Sequence, residues 1–134
     1  RFCIVSNQSG VARGLIQKRN IYKINKYIFD QFITNKIKLL DIYVCFDHPE
    51  NPTSRRKPGT GMFLEAEEYH HISLPDSLMI GDSICDIRAG KNLGMDTMLV
   101  LTGNGQKTKS ELINPDYPTY IVENLREGAN KICH

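Results

Sequence analysis

Short apolar segments alternate along the chain with stretches that have the period of a helix, and this alternation constrains the fold more than any other feature. Segments rich in β-branched and aromatic residues are predicted as strands over residues 2–6, 42–46, 78–81, 98–101 and 120–122. Apolar residues three or four positions apart predict helices over residues 19–35, 60–71, 83–93 and 124–132. The alternation predicts right-handed crossovers and an α/β fold, with one parallel sheet covered by helices on both faces.

The remaining segments are predicted as loops or helix ends. Residues 47–59 contain three prolines, and residues 102–118 show no apolar period. Thr60 is a candidate N-cap and Gly94 a candidate C-terminal cap. A length of 134 residues suits a single domain over residues 1–134. The residues expected on the buried face of the first helix are Ile21, Ile24, Ile28 and Phe32.

Charge and cysteine content exclude several classes of protein. With 17 basic and 15 acidic residues the net charge is +2, which argues against nucleic-acid and membrane-surface partners. No apolar run approaches the roughly 20 residues that span a bilayer. The four cysteines form no C-x-x-C pair, and three lie in predicted strands or helices beside apolar residues, which favours buried, reduced thiols over disulfides. We expect a cytoplasmic monomer.

Three groups of polar residues follow predicted strands, and the first occupies residues 6–14. Ligands of such folds bind at the carboxyl ends of the strands, so these residues are candidates for a binding site. Hydroxyl, amide and backbone N–H donors can hold a phosphoryl oxygen there. Gly10 permits close approach of the backbone, and Arg13 offers a planar fork for an anion. A polar turn without a ligand explains the same residues equally well.

The second group lies before the predicted 60–71 helix, where Arg55, Arg56 and Lys57 are three consecutive cations. Like charges in a row repel one another, and a nearby anion would relieve that repulsion. The N-terminus of a helix also favours an anion, and Lys57 lies just before one. A solvated charge run on a loop is the alternative interpretation.

The third group begins with Asp82, which ends a predicted strand, and continues with Asp86 four residues later. Both carboxylates then face the same side of the first helical turn and repel each other by roughly 0.2–0.5 kcal/mol. A hard cation would remove this repulsion, and Mg²⁺ prefers carboxylate oxygens. The alternative is that Asp82 caps the helix and Asp86 favours its dipole. Because all three groups end strands of one predicted sheet, we expect them to converge on one site.

These three groups, in this order, make the chain resemble subfamily IIIA of the haloacid dehalogenase superfamily. Within it, the chain is similar to the group of D-glycero-D-manno-heptose 1,7-bisphosphate phosphatases and histidinol-phosphatases. Residues 6–14 (SNQSGVARG) resemble the second motif of the family, residues 56–58 (RKP) the third, and residues 81–90 (GDSICDIRAG) the fourth. The resemblance implies a Rossmann-like core and Mg²⁺-dependent hydrolysis of a small sugar bisphosphate through an aspartyl-phosphate intermediate.

The resemblance also implies a role for each matching residue. Ser6 and Asn7 would bind the transferring phosphoryl group, and Lys57 would neutralise charge on that group and on the nucleophile. Asp82 would ligate Mg²⁺, with Asp86 in or beside the metal shell. The residues that would contact the rest of the substrate are Gln8, Ser9, Gly10, Arg13 and Arg56.

The chain departs from the family's pattern in the first motif, an Asp-x-Asp whose first Asp attacks phosphorus and whose second is the general acid/base. No Asp-x-Asp occurs in the 134 residues, and residues 2–5 already have the composition of a buried strand. We therefore expect the strand that carries this motif to precede Arg1 in the native polypeptide. The 134 residues alone are expected to be inactive.

A second departure lies in the loop after Cys45, where many relatives hold a structural Zn²⁺ through Cys-x-His and a later Cys-x-Cys. Asp47 stands where the ligand His would be, and residues 53–55 (TSR) stand where Cys-x-Cys would be. Cys45 and His48 alone fall short of the four ligands that zinc usually takes, so we expect no zinc site.

Other functions stay open. Histidinol phosphate is an alternative substrate. Residues 56–62 (RKPGTGM) also resemble polynucleotide 3′-phosphatases, although the near-neutral charge argues against a nucleic-acid substrate. A non-catalytic phosphate- or metal-binding module would bind without turnover. A chain without its central first strand would expose backbone edges in mid-sheet, and a fragment without a stable fold is the last alternative.

Overall fold

A computed structural model describes residues 1–133, and strand and helix alternate throughout this range. The strands are β1 (Phe2–Asn7), β2 (Leu39–Cys45), β3 (Leu78–Gly81), β4 (Asp96–Val100) and β5 (Tyr120–Val122). The helices are α1 (Lys18–Thr34), α2 (Gly61–His70), α3 (Ile84–Asn92), α4 (Gly105–Glu111) and α5 (Leu125–Ile132). The paired strands are parallel, which confirms the predicted α/β class. No helix in this range is both long and apolar enough to cross a bilayer.

The chain divides into two compact units, residues 1–72 and the part from Ser73 onward. In the first unit β1 pairs with β2, and in the second the strand order is β3-β4-β5. Among residues 1–133 the strands thus pair as two parallel sheets, one in each unit. The single domain stays a prediction.

The first unit buries one face of α1 and most of the apolar side chains of α2 against its two strands. Ile21 is buried in α1, and Met62, Phe63 and Ala66 are buried in α2. Ile24, predicted to face inward, is 53% exposed. At 100° per residue Ile24 lies 300° from Ile21, which is 60° in the opposite direction, and this places it beside the buried face.

The core of the second unit is centred on β4, whose side chains are buried on both faces. Leu99 packs with Ile87 of α3 on one face, and Met98 packs with Val122 of β5 on the other. Because successive strand residues point to opposite faces, an apolar run is what such a strand requires. Each buried side chain of this size contributes about 1.5–3 kcal/mol of transfer free energy.

One helix of the second unit was not predicted. Residues 102–118 were expected to be a loop, yet α4 occupies Gly105–Glu111. Its sequence, GQKTKSE, has no apolar period, so its helical state cannot be read from hydrophobicity. The cysteines Cys3, Cys45, Cys85 and Cys133 are free thiols as predicted, but the expected burial holds for Cys45 alone, and Cys133 is exposed.

Candidate active site

The first predicted group of site residues lies at the carboxyl end of β1. Ser6 and Asn7 are the last two residues of the strand, and the Gln8 backbone N–H donates to the Cys45 carbonyl at 2.7 Å. The Gln8 side chain turns back and donates from Nε2 to Ser6 Oγ at 2.8 Å. Ser9, Gly10 and Arg13 follow in a run of turns, and the Arg13 side chain is exposed.

The second group lies in a compact loop that leads into α2. The Gly61 N–H donates to the Ser54 carbonyl at 2.8 Å, and the Gly59 N–H donates to the Arg56 carbonyl at 2.7 Å. A methyl group on Gly59 would lie 2.4 Å from the Ser54 carbonyl oxygen, so a side chain there would break the loop. This closure turns Lys57 inward, and only 8% of the residue is exposed. Thr60 is the N-cap residue of α2 as predicted, but its side chain makes no capping hydrogen bond.

Asn7 and Lys57 are joined directly. The Asn7 amide donates from Nδ2 to the Lys57 carbonyl at 3.1 Å, and its Oδ1 accepts the Lys57 backbone N–H at 3.1 Å. The Lys57 ammonium donates to the Val5 carbonyl at 2.6 Å. The Asn7 amide therefore binds Lys57 as a neighbouring strand would, and both the backbone and the ammonium of Lys57 are fixed at the end of β1.

The three consecutive cations have separate partners. Arg55 forms an ion pair with Glu65 and donates to the Val44 carbonyl at 3.0 Å. Arg56 donates to the Asp47 carbonyl at 3.3 Å. Lys57 is thus the cation of the three that reaches the end of β1, while Arg55 stabilises the loop. The alternative of a solvated charge run does not describe this arrangement, because Lys57 is buried and Arg55 and Arg56 are half-buried.

The loop in which the resemblance places zinc ligands is closed by hydrogen bonds. Asp47 Oδ2 accepts from the Thr53 backbone N–H at 2.7 Å and from Thr53 Oγ1 at 2.6 Å. These bonds hold the pKa of Asp47 below its usual range, while burial raises the pKa of Cys45. Among residues 1–133, no three His, Cys, Asp or Glu side chains are grouped so that they could hold a metal ion. The expectation of no zinc stays a prediction.

The third group belongs to the second unit, where Asp82 directly follows β3. Its Oδ2 accepts hydrogen bonds from the Asn104 backbone N–H at 2.7 Å and from Asn104 Nδ2 at 3.3 Å. Thr108 Oγ1 donates to the Asp82 carbonyl at 2.8 Å. Sequence reasoning missed these partners, although Gly103 and Asn104 follow a strand end, the position that singled out the other groups.

Asp86 lies in the first turn of α3 and takes part in capping that helix. Its Oδ2 accepts from the Ser83 backbone N–H at 3.1 Å and from Ser83 Oγ at 3.0 Å, while Ser83 Oγ accepts the Asp86 N–H at 3.3 Å. This is a capping box with Ser83 as the N-cap residue, so the alternative in which Asp82 caps the helix is wrong. Asp86 is 5% exposed. Its place in a metal shell stays a prediction.

Asn7 and Lys57 are thus in contact within the first unit, whereas Asp82 and Asp86 belong to the second unit. The convergence of all three groups on one site stays a prediction from the sequence.

Comparison with known proteins identifies the family. A family model described as HAD-hydrolase-like matches residues 54–128, more than half of the chain. The D-glycero-alpha-D-manno-heptose-1,7-bisphosphate 7-phosphatase of Campylobacter jejuni is 35% identical over 127 residues, which are 95% of this chain and 68% of that protein. The chain belongs to the haloacid dehalogenase superfamily of hydrolases. Its place within the superfamily is the phosphatase group that contains the heptose-bisphosphate enzymes.

Two further relatives of this superfamily extend the similarity over almost the whole chain. The D-glycero-D-manno-heptose-1,7-bisphosphate 7-phosphatase of Thermosynechococcus vestitus is 32% identical, and the alignment covers 98% of this chain and 73% of that protein. The crystal structure of D,D-heptose 1,7-bisphosphate phosphatase from B. bronchiseptica, complexed with magnesium and phosphate, superposes with a TM-score of 0.87. That structure is 28% identical, and the match covers 98% of this chain and 73% of its chain. The Rossmann-like haloacid dehalogenase fold predicted from the motifs is confirmed.

Proposed function

We propose that this protein is a Mg²⁺-dependent phosphatase that hydrolyses one phosphomonoester of D-glycero-D-manno-heptose 1,7-bisphosphate through an aspartyl-phosphate intermediate. The relatives named above carry this substrate in their names, and the second, third and fourth motifs match in this chain. The groups that bind the phosphate and neutralise its charge would come from these 134 residues. The aspartyl nucleophile is not among them, because the sequence contains no Asp-x-Asp.

The observation that carries the proposal is the fixation of Lys57 at the carboxyl end of β1. Lys57 is 8% exposed, and its ammonium donates to the Val5 carbonyl near the carboxyl end of β1. A phosphoryl group bound beside Ser6 and Asn7 would lie next to this positive charge. Preorganised donors of this kind supply most of what phosphoryl transfer needs from a protein.

Magnesium fits the chemistry of Asp82. Mg²⁺ is usually bound by one or two carboxylates, with waters and substrate phosphate oxygens as the other ligands. The donors that hold Asp82 are neutral amide N–H groups, so the charge of its carboxylate is not cancelled. Asp82 would hold the ion, and Asp86 would support the site from the start of α3. Bound Mg²⁺ would neutralise negative charge on the phosphoryl oxygens.

The remaining matching residues are proposed to select the substrate. Arg13 is exposed in the turns after β1 and is available to a second anionic group, and Arg56 lies beside Lys57 in the loop before α2. A bisphosphate has a second phosphate that such guanidinium groups bind well. Gln8, Ser9 and Gly10 would line the path between the two phosphates. The monomeric state, the cytoplasmic location and the absence of nucleic-acid and membrane partners stay predictions.

The first test replaces Lys57 by Met in the natural full-length polypeptide. Loss of one preorganised donor to a developing oxyanion lowers kcat by roughly 10²–10³-fold, and we expect a fall of that size for Lys57→Met. The matched control is Lys26→Met, since the Lys26 side chain is 76% exposed and pairs with Asp30 on the surface of α1. Equal kcat in both variants would refute the role of Lys57.

The second test compares three substrates with the full-length polypeptide: heptose 1,7-bisphosphate, histidinol phosphate and a 3′-phosphorylated oligonucleotide. The proposal predicts the highest kcat/KM for the heptose bisphosphate. Preference for histidinol phosphate would keep the phosphatase and change the substrate, and preference for the oligonucleotide would favour the polynucleotide branch. Tight phosphate binding without turnover of any substrate would identify a non-catalytic binding module.

A further inference from the structure

The carboxylate of Asp82 is held by a segment that no sequence motif singled out. The segment consists of residues 103–108, which follow β4 and enter α4. Asn104 donates twice to Asp82 Oδ2, from its backbone at 2.7 Å and from its side chain at 3.3 Å. Thr108 donates to the backbone carbonyl of Asp82 at 2.8 Å. Both the side chain and the backbone of Asp82 are therefore fixed by residues more than 20 positions away.

Gly103 allows this segment to reach the carboxylate. Its φ of +58° lies in the left-handed region, which glycine adopts without steric cost. A methyl group on Gly103 would lie 2.3 Å from Asp82 Oδ2, well inside van der Waals contact. Any side chain at this position would therefore push the carboxylate out of its present orientation.

The chemistry of the donors suits a residue that must bind a cation. Amide N–H groups orient a carboxylate without cancelling its charge, whereas Arg or Lys would compete with the cation. Both bonds fall on Oδ2, so neither occupies Oδ1. Partners that orient a metal ligand in this way commonly change metal affinity by about 10–100-fold when they are removed.

We infer that residues 103–108 are a positioning segment that sets the affinity of Asp82 for a divalent cation. In this role Gly103 and Asn104 act through Asp82, whose carboxylate they orient. This inference rests on the proposed function, because that proposal makes Asp82 the magnesium ligand.

The test is calorimetric titration of Mg²⁺ into the full-length polypeptide, without substrate. Gly103→Ala is expected to weaken Mg²⁺ binding by about 10–100-fold. The matched control is Gly94→Ala, because Gly94 also has a left-handed φ, +69°, but nothing lies within 4 Å of a methyl group there. Both variants suffer the same kind of backbone strain, and only Gly103→Ala disturbs Asp82. Circular dichroism of each variant verifies folding.

Each outcome decides one of the two claims. Equal Mg²⁺ affinity in Gly103→Ala and Gly94→Ala would overturn the positioning role and leave the proposed function intact. Absence of Mg²⁺ binding in the unaltered protein would overturn the proposed function, and this inference with it. If Gly103→Ala does not fold, Asn104→Ala takes its place. That variant keeps the backbone donor, so a smaller loss of affinity is expected, and unchanged affinity would overturn the inference.

Discussion

Replacing Asn7 by Ala removes both hydrogen bonds that hold the backbone of Lys57. Each bond is 3.1 Å long and partly buried, and an ordinary hydrogen bond contributes about 0.5–1.5 kcal/mol net. Loss of a partner costs more, about 1–3 kcal/mol, where the group left behind stays buried, as Lys57 is. If water reaches one of the two groups and the other stays buried, the two costs add, and we expect the free energy of unfolding to fall by about 1.5–4.5 kcal/mol.

The measurement is urea denaturation of the full-length polypeptide at neutral pH, with an unchanged slope against urea concentration as the sign of two-state unfolding. The control is Asn20→Ala, since Asn20 is exposed in α1 and surface substitutions usually change stability by less than about 0.5 kcal/mol. A loss of stability for Asn7→Ala no larger than that of the control would refute the stabilising role of the two hydrogen bonds between Asn7 and Lys57.

The same pair can be examined by catalysis. If Asn7 acts through Lys57, the losses of kcat in Asn7→Ala and Lys57→Met are not additive in the double variant. If Asn7 binds the phosphoryl group independently, as the resemblance alone implies, the two losses add. This separates a positioning role for Asn7 from direct contact with the substrate.

Two further predictions concern local structure. Thr53→Val removes the hydroxyl that donates to Asp47 and should lower the thermal midpoint at pH 7. The hydrogen bond from Thr53 lowers the pKa of Asp47 in the folded protein. The stabilisation that this bond gives is therefore complete above the ordinary Asp pKa of about 3.9 and is lost as the pH falls through the lower pKa of the folded state. The midpoints of the variant and the unaltered protein should therefore converge in acid, and a constant difference down to the lowest pH would contradict this. Ser83→Ala should cost about 1 kcal/mol in a denaturation experiment, because it removes the N-cap side chain of α3, whereas no loss would mean that Asp86 alone caps the helix.

A helix or strand can be predicted from the sequence to the extent that burial of its side chains leaves an apolar pattern. β5 was predicted with its observed bounds, Tyr120–Val122, and β3 likewise, because buried strands are short runs of apolar residues between polar ones. α4 was missed because its position is set by the turn after β4 and not by an apolar face. Helical spacing also placed Ile24 inside, although spacing fixes a face only to within part of a turn.

The candidate site shows a similar division. The rule that ligands bind at the carboxyl ends of parallel strands selected Asn7, Lys57 and Asp82 from sequence. The rule cannot say which atoms meet. Asn7 and Lys57 are 50 residues apart, and nothing in the sequence shows that the amide binds the lysine backbone at two points. Gly103 and Asn104 also follow a strand, but without a charged side chain they drew no attention.

Asp82 and Asp86 show why spacing alone does not assign function. Four residues apart near a helix start, they are equivalent candidates for a metal ion by sequence. The surroundings separate them, because the Asp86 carboxylate is buried and completes a capping box with Ser83, a pattern legible as Ser-x-x-Asp. Asp82 is oriented on one oxygen by neutral donors of Asn104. The same spacing thus gives the two carboxylates different partners, and a place in the metal shell stays a prediction for both.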